Sequence, residues 1–326
     1  MLCIRSRTND PAFNLATEEY LLKNKSEDCF YLYINDPSII VGKHQNSLAE
    51  INVDYVKDNN VTVIRRLSGG GAVFHDPGNL NFTFIKKEES GKTVDFKKYT
   101  QPILDVLQDI GVNAKFEGRN DLTIEGKKFS GNAKHFYKDK ILQHGTLLFS
   151  SKLPDLSAAL KVNPLKFKDK AVKSVRSRVT NISEHLPKAI SLAKFEELII
   201  DHVKSMYDDS VFYELSENDI KEINKLILNK YGTWDWNFGT SPQYNFQKGI
   251  KTKGGHIEVN LQVQKGVILE AKIFGDFFNI KDISELENLL KGLAHEKDII
   301  RNKLEKAGLE NYISNVDLAE FVEGMF

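Results

Sequence analysis

Cysteine is almost absent: Cys3 and Cys29 are the two in a chain of 326 residues. Two thiols cannot build a disulfide framework or a cysteine-rich metal site. No cysteine follows residue 29, so a thiol nucleophile could come only from the chain's beginning. An excess of one charge is missing as well: Lys+Arg and Asp+Glu are both 45, for a net charge of zero. That excludes a general nucleic-acid binder, which carries a basic excess, and leaves room for a local basic patch. No stretch reaches ~18 consecutive apolar residues, so no transmembrane helix and no membrane partner are expected. With no signal-peptide pattern, the expected compartment is the cytoplasm, where thiols stay reduced. Repeats and low-complexity segments are also lacking.

What is present is ordinary for a soluble globular protein, with 41% hydrophobic and 28% charged residues. The length fits about two domains of ~150 residues each. One stretch stands out, VTVIRRLSGGGAVFHDPGNLNFTFI at 61–85. A β-branched run ends in Arg65-Arg66, then come Ser68, Gly69, Gly70 and Gly71, a short apolar run through Ala72, Val73, Phe74 and His75, a turn at Asp76–Asn79, and an alternating run to Ile85. The pattern predicts strand, glycine loop, short strand, turn, strand. Adjacent glycines let a backbone approach a ligand with no Cβ in the way. An arginine beside them can grip a phosphate or carboxylate. The loop matches neither the Walker A nor the dinucleotide pattern. From the glycines alone, a mobile hairpin loop without a ligand explains them equally well.

In chain order, Asp10 as N-cap and Pro11 at the first helical position predict a helix through Leu22. Cys29–Ile34 and 37–42 read as strands, and 52–59 as a short helix. A helix over 95–110 stops at Gly111. Short strands follow at 113–117, 122–124, 128–130 and 145–150. A helix runs from Ser191 to about Tyr207, and another over 219–229 begins with Ser216 and Asp219 spaced like a capping box. A boundary is expected near 231–249: both tryptophans lie in 231–239, where aromatic burial would anchor it, and 240–245 has loop composition. Beyond it, alternation at Ile257–Val263 and Val267–Ile273 predicts a hairpin, followed by helices near 282–293, 294–307 and 315–324.

Three more stretches carry chemistry. GRNDLTIEGKKFSGNA at 118–133 places Asp121 on one strand and Lys127-Lys128 on the return strand, where one lysine can face a pocket and the other solvent. Taken alone, a solvated basic hairpin tip is the better account of it. His144 precedes a strand in HGTLLFS; a lone histidine, like His75, is more often structural. Residues 161–178 carry Lys161, Lys166, Lys168, Lys170, Lys173, Arg176 and Arg178 against Asp169, which suits a solvated loop, a lid over an anion, or a docking surface for an acidic partner.

In this order the stretches resemble the lipoate–protein ligases, in the fold family shared with biotin ligases and octanoyltransferases. The matches are RRLSGGGAVFHDPGNLNFTF, GRNDLTIEGKKFSGNA, HGTLLFS and SVRSRVTNI, with DPAFNLATEEYLL and YGTWDWNFG besides, and they span nearly the whole chain. The resemblance implies an α+β fold: mixed and antiparallel sheets flanked by helices in a catalytic domain (1–240), plus a small α+β accessory domain (247–326). It implies activation of lipoate with ATP to lipoyl-AMP, then transfer to a lysine of an apo lipoyl domain in 2-oxoacid dehydrogenase complexes or of the glycine-cleavage H protein. Lys128 matches the family lysine that contacts the α-phosphate and the acyl carbonyl. Arg66 and the backbone of Gly71, Ala72, Val73 and Phe74 match adenylate-binding positions, with Ser68, Gly69, Gly70 and His75 beside them. Asn79, Asp121 and His144 match polar pocket positions. Mg²⁺ is expected with ATP, and Asp121 is a reasonable partner because Mg²⁺ prefers carboxylate and phosphate oxygens. A monomer is expected. Rival readings are a cysteine-dependent octanoyl or lipoyl transferase of the same fold, a biotin ligase, and a non-catalytic nucleotide- or acyl-binding module.

Overall fold

A computed structural model describes residues 1–45, 47–87, 96–153, 155, 159–160, 179–238, 246–264 and 266–326. The basic segment 161–178 and the stretch 240–245 lie outside the described residues.

The strands of the larger unit are β1 (Leu2–Arg5), β2 (Cys29–Ile34), β3 (Ser38–Val41), β4 (Thr62–Arg65), β5 (Val73–His75), β6 (Asn79–Lys87), β7 (Ala114–Glu117), β8 (Asp121–Ile124), β9 (Lys127–Tyr137), β10 (Lys140–Leu148) and β11 (Val211–Phe212). They form an eight-stranded sheet in the order β11-β1-β2-β6-β10-β9-β8-β7 and a three-stranded sheet in the order β4-β3-β5. The helices are α1 (Pro11–Asn24), α2 (Ser47–Glu50), α3 (Val53–Asp58), α4 (Lys97–Asp109), α5 (Leu192–Ser205), α6 (Glu217–Leu226) and α7 (Trp234–Asn237). The α+β class expected from the sequence is the observed one.

Each face of the large sheet is covered. Phe30, Phe82 and Phe84 pack with Tyr99, Ile103 and Leu107 of α4 and with Phe195, Ile199 and Val203 of α5. On the other face Tyr31, Ile85 and Leu142 pack with Leu15 and Leu21 of α1 and with Ile40 and Ile64 of the small sheet. Helix α1 is therefore sandwiched, and burial takes in Glu18 and Glu19 as well as its apolar residues.

A second unit has its own core. β12 (Phe246–Thr252), β13 (Gly255–Gln264) and β14 (Val267–Gly275) form an antiparallel sheet packed against α8 (Ile283–Leu290), α9 (Lys297–Ala307) and α10 (Leu318–Glu323). Among the described residues no helix is long and apolar enough to cross a membrane.

Several elements differ from their sequence reading. β9 and β10 are much longer than the short strands expected at 128–130 and 145–150, because they pair along their length in the middle of the sheet. Pairing there outweighs the weak strand preference of GNAKH. β12 is not among the expected strands; it adds a third strand to the expected hairpin by pairing with β13 along its length. The WDWN stretch forms α7 on the larger unit, with the Trp236 indole N–H donating to Arg65 O at 2.9 Å.

The capping box is present as expected: Asp219 N donates to Ser216 Oγ at 3.2 Å and Ser216 N donates to Asp219 Oδ2 at 2.9 Å. Asp219 also accepts from Tyr20, from Tyr213 at 2.6 Å and from Lys25 at 3.0 Å, tying α6 to α1. Burial alone would raise this carboxyl, but the bonds from Tyr20 and Tyr213, from Ser216 N and from Lys25 hold it well below the ordinary range. A carboxyl depressed in the folded state contributes stability above its unfolded pKa and loses it as pH falls. Asp219→Ala is expected to cost roughly 3 kcal/mol at pH 7. Urea titrations at pH 7 and pH 3 check this, and the variant's deficit should shrink at the lower pH.

Candidate active site

The glycine loop joins β4 to β5 and is held by the arginines that precede it. Arg65 is buried and gives every guanidinium nitrogen to protein oxygens: Nε to Trp236 O, Nη1 to Gly42 O, Lys43 O and Gln45 O, and Nη2 to Ser47 Oγ and Asn237 O, at 2.7–3.1 Å. Arg66 donates from Nε to Ser68 Oγ at 3.1 Å, from Nη1 to Ile40 O at 3.1 Å, and from Nη2 to Gly69 O at 2.7 Å and Gly71 O at 2.9 Å. Burial pulls both guanidinium pKa values down to about 10, which leaves them charged at neutral pH. Gly70 has φ of 92°, a conformation that glycine adopts without strain.

Behind the loop runs a buried polar line. Ser68 Oγ lies 2.5 Å from His144 Nε2, and His144 Nδ1 lies 2.9 Å and 3.0 Å from the two Glu18 oxygens. Glu18 also accepts from Tyr33 at 3.1 Å and from Thr83. Sequence reasoning missed Glu18. The available signal was a pair of acids in the middle of an otherwise apolar helix, each of which needs a partner once buried.

In front of the loop lies a cavity of about 130 Å³. Of the residues singled out from the sequence, Arg66, Gly70, Gly71, Ala72, Val73, His75, Lys128 and His144 line it. Ser68, Gly69, Phe74, Asn79 and Asp121 do not, although each lies on an adjoining element. Leu15, Tyr33, Ile40, Asn81, Asn120 and Asn132 also line it, and the sequence had not suggested them.

Lys128 reaches the cavity while Lys127 is exposed, so the pair divides between pocket and solvent. A bulge between Leu122 and Thr123 of β8 shifts the register opposite Lys128, and bulges of this kind re-aim side chains. Its Nζ pairs with Asp121 Oδ1 at 2.7 Å. Val179 bridges to Lys128, and Thr180 N donates to Lys128 O at 3.0 Å, so the end of the SVRSRVTNI stretch docks beside this lysine.

Two polar atoms at the cavity lack partners among the described residues, His75 Nε2 and Asn132 Oδ1. His75 Nδ1 lies 2.9 Å from Asn35 Nδ2; accepting there leaves the ring proton on Nε2, which can donate. Burial, with Arg66 and His144 nearby, pushes the His75 pKa down to about 3, so this donor is neutral.

The smaller unit covers the outer side of the loop. Gly70 N donates to Phe277 O at 3.3 Å, and a Cβ on Gly69 would collide with that same oxygen. His44 stacks on Phe277 at 4.7 Å, Gly275 N donates to His44 O at 2.7 Å, and Lys43 pairs with Asp282 at 2.9 Å.

The thiols are elsewhere. Cys3 and Cys29 are buried in the cores on the two faces of the large sheet, and neither lines this cavity. Burial raises the Cys3 thiol, and it pushes Cys29 up to about 12. Neither is the thiolate nucleophile that a cysteine-dependent transferase needs.

Residues 10–204 match the model of the lipoyl protein ligase A/B catalytic domain, and residues 241–325 that of the bacterial lipoate protein ligase C-terminus. The chain belongs to the lipoate–protein ligase family. It is 44% identical to lipoate-protein ligase LplJ of Bacillus subtilis, with 97% of this chain and 96% of the relative covered. The crystal structure of P. falciparum LipL1 with lipoate is 28% identical and superposes with a TM-score of 0.81 over 94% of each chain. An archaeal bipartite lipoate protein ligase from Thermoplasma acidophilum, described with its E2 lipoyl domain, is 28% identical, with a TM-score of 0.65 over 75% of this chain and 98% of its own. The ligase fold thus extends over both units of this family member.

Arg66 holds the loop through carbonyls that a lysine cannot reach together, since an ammonium lacks the planar fork. Arg66→Lys is expected to cost about 2–3 kcal/mol by stranding buried carbonyls. Chemical denaturation of the unliganded protein checks this, and an unchanged midpoint would count against the structural role.

Proposed function

We propose that this protein is an ATP-dependent lipoate–protein ligase that forms lipoyl-AMP and passes the lipoyl group to a carrier lysine. The observation that carries the reading is that Lys128 and the glycine loop line one cavity of mixed polar and apolar walls, with neither cysteine in its lining. Attack of a carboxylate on the α-phosphate brings two anions together. Cations and oriented N–H groups offset that repulsion. Lys128 is assigned to the α-phosphate and the acyl carbonyl, where one cation serves both half-reactions. The backbone from Gly71 to Phe74 is assigned to the adenylate, with Arg66 fixing its shape. His75 Nε2–H is a neutral donor for an oxygen at the reacting centre. Leu15, Ile40 and Val73 offer an apolar wall for the acyl chain, where each buried CH₂ contributes ~0.8 kcal/mol.

Among the described residues no group of three or more His, Cys, Asp or Glu side chains is placed to hold a metal. That fits Mg²⁺ arriving with the nucleotide, bound mainly by phosphate oxygens, with Asp121 the carboxylate paired to Lys128. Mg²⁺ there would screen phosphate charge. The carriers we propose are apo lipoyl domains of 2-oxoacid dehydrogenase complexes or the glycine-cleavage H protein. The archaeal relative described with its E2 lipoyl domain supports this choice. We take residues 1–240 as the catalytic domain and 247–326 as the accessory domain of a cytoplasmic monomer.

Incubation with ATP, Mg²⁺, lipoate and an apo lipoyl domain should add the lipoyl mass to the carrier. Absence of the gain with any apo carrier would sink this reading, and a gain without ATP would favour a transferase. Lys128→Ala should abolish pyrophosphate release while leaving the circular-dichroism spectrum unchanged; release at the wild-type rate would refute the assigned role. Chelation by EDTA should stop the ATP-dependent reaction and leave transfer from supplied lipoyl-AMP intact, as followed by carrier mass.

A further inference from the structure

With His144 as a neutral imidazole, the buried line behind the glycine loop has one polarity. Arginine can only donate, and an ionised carboxylate can only accept. Between Arg66 and Glu18 lie a hydroxyl and an imidazole, Ser68 and His144, each able to donate once and accept once along the line. Arg66 Nε–H donates to Ser68 Oγ, and Glu18 can only accept, so a neutral His144 turns its protonated Nδ1 to Glu18 and its bare Nε2 accepts from the Ser68 hydroxyl. All four side chains are more than nine-tenths buried, so water does not substitute for a lost partner.

We propose that Glu18 is a positioning residue for the adenylate-forming reaction, acting through His144 and Ser68 on Arg66. The inference rests on the ligase reading for its kinetic consequence only. Glu18 holds His144 in the Nδ1–H tautomer, which makes His144 Nε2 an acceptor for the Ser68 hydroxyl. The Ser68 lone pair is thereby aimed at Arg66 Nε. Arg66 in turn fixes Gly69 O and Gly71 O, and with them the direction of the backbone N–H groups that follow. Tyr33 and Thr83 hold the carboxylate itself by donating to it. Without the charge on Glu18 the imidazole is free to place its proton on Nε2. The Ser68 oxygen would then accept from both His144 and Arg66, its own proton would lose its acceptor, and the fixed direction of its bond to Arg66 would be lost.

Two measurements on the full-length protein test this. In the unliganded wild type, ¹⁵N chemical shifts of the His144 ring should show the Nδ1–H tautomer, and Glu18→Gln should shift the ring toward a mixture. A wild-type ring protonated on Nε2 would overturn the inference, and this readout does not depend on catalysis or on any variant folding. In lipoyl-AMP formation, Glu18→Gln and Ser68→Ala should each raise KM for ATP about 10-fold, with a smaller loss in kcat. The double variant should be no worse than either single within about 2-fold, because both cut one line. Multiplying losses would assign Glu18 a general structural role and overturn the proposal. A wild type that makes no lipoyl-AMP would instead fail the ligase reading and leave the tautomer result to decide this one.

Discussion

A run of three glycines has no side chains with which to hold its own shape, and here that shape depends on buried guanidinium groups. Arg65 ties the loop after β3 to α7, and Arg66 ties Ile40 to Gly69 and Gly71. Each buries a charge without a carboxylate in contact, which is tolerable because several carbonyl dipoles converge on each fork. The nearest compensating negative charge along the polar line is Glu18, set behind the loop by the sandwiched helix α1. Loop, small sheet and α1 therefore form one electrostatic unit, and the large sheet is the platform that holds β10 and its His144 against it.

How much of this the sequence disclosed follows from which features are local. The N-cap at Asp10, the capping box at Ser216 and Asp219, and the alternation of β13 and β14 are set by neighbours a few residues apart, and all are present. The split of Lys127 and Lys128 between solvent and pocket follows from strand alternation. What escaped the sequence is non-local. β9 runs on through Asn132, Ala133 and Lys134 because β10 pairs with it, and no propensity in those residues announces a strand. Glu18 acquires its role from His144, which lies 126 positions away. Arg66 looked from its position like a ligand-gripping cation, whereas its hydrogen bonds here all go to the chain; only the fold reveals which acceptors reach it first.

The smaller unit bears on the same loop from outside. Phe277 supplies a carbonyl to Gly70 and a ring to His44, and Phe278 packs on Phe96 and under Arg119. The contact explains why glycine is needed at position 69, where a Cβ would meet Phe277 O. It also bears on the cavity's size. At about 130 Å³ it falls below the roughly 300–1,000 Å³ of typical small-molecule sites. A site closed in part by another unit can enlarge without unfolding its own core, because the two cores share few side chains.

The charges at the cavity divide between one exposed ion pair and one buried frame. Lys128 is paired with Asp121, and Arg66 is held by loop carbonyls with Glu18 behind them, so neither cation stands free. On the reading proposed above, an arriving phosphate would draw Lys128 away from Asp121. Both partners are more than a third exposed, so the pair is weak and its exchange is cheap. Arg66 sits fully committed in the interior, where breaking its bonds would strand carbonyls. The division assigns Lys128 to the moving contact and Arg66 to the fixed frame. His75 completes the set as a donor without charge, able to meet an oxygen at the reacting centre without adding to the repulsion between cations. On the proposed ligase reading, such a site would recognise an anion by exchanging one exposed ion pair beside a fixed, buried frame.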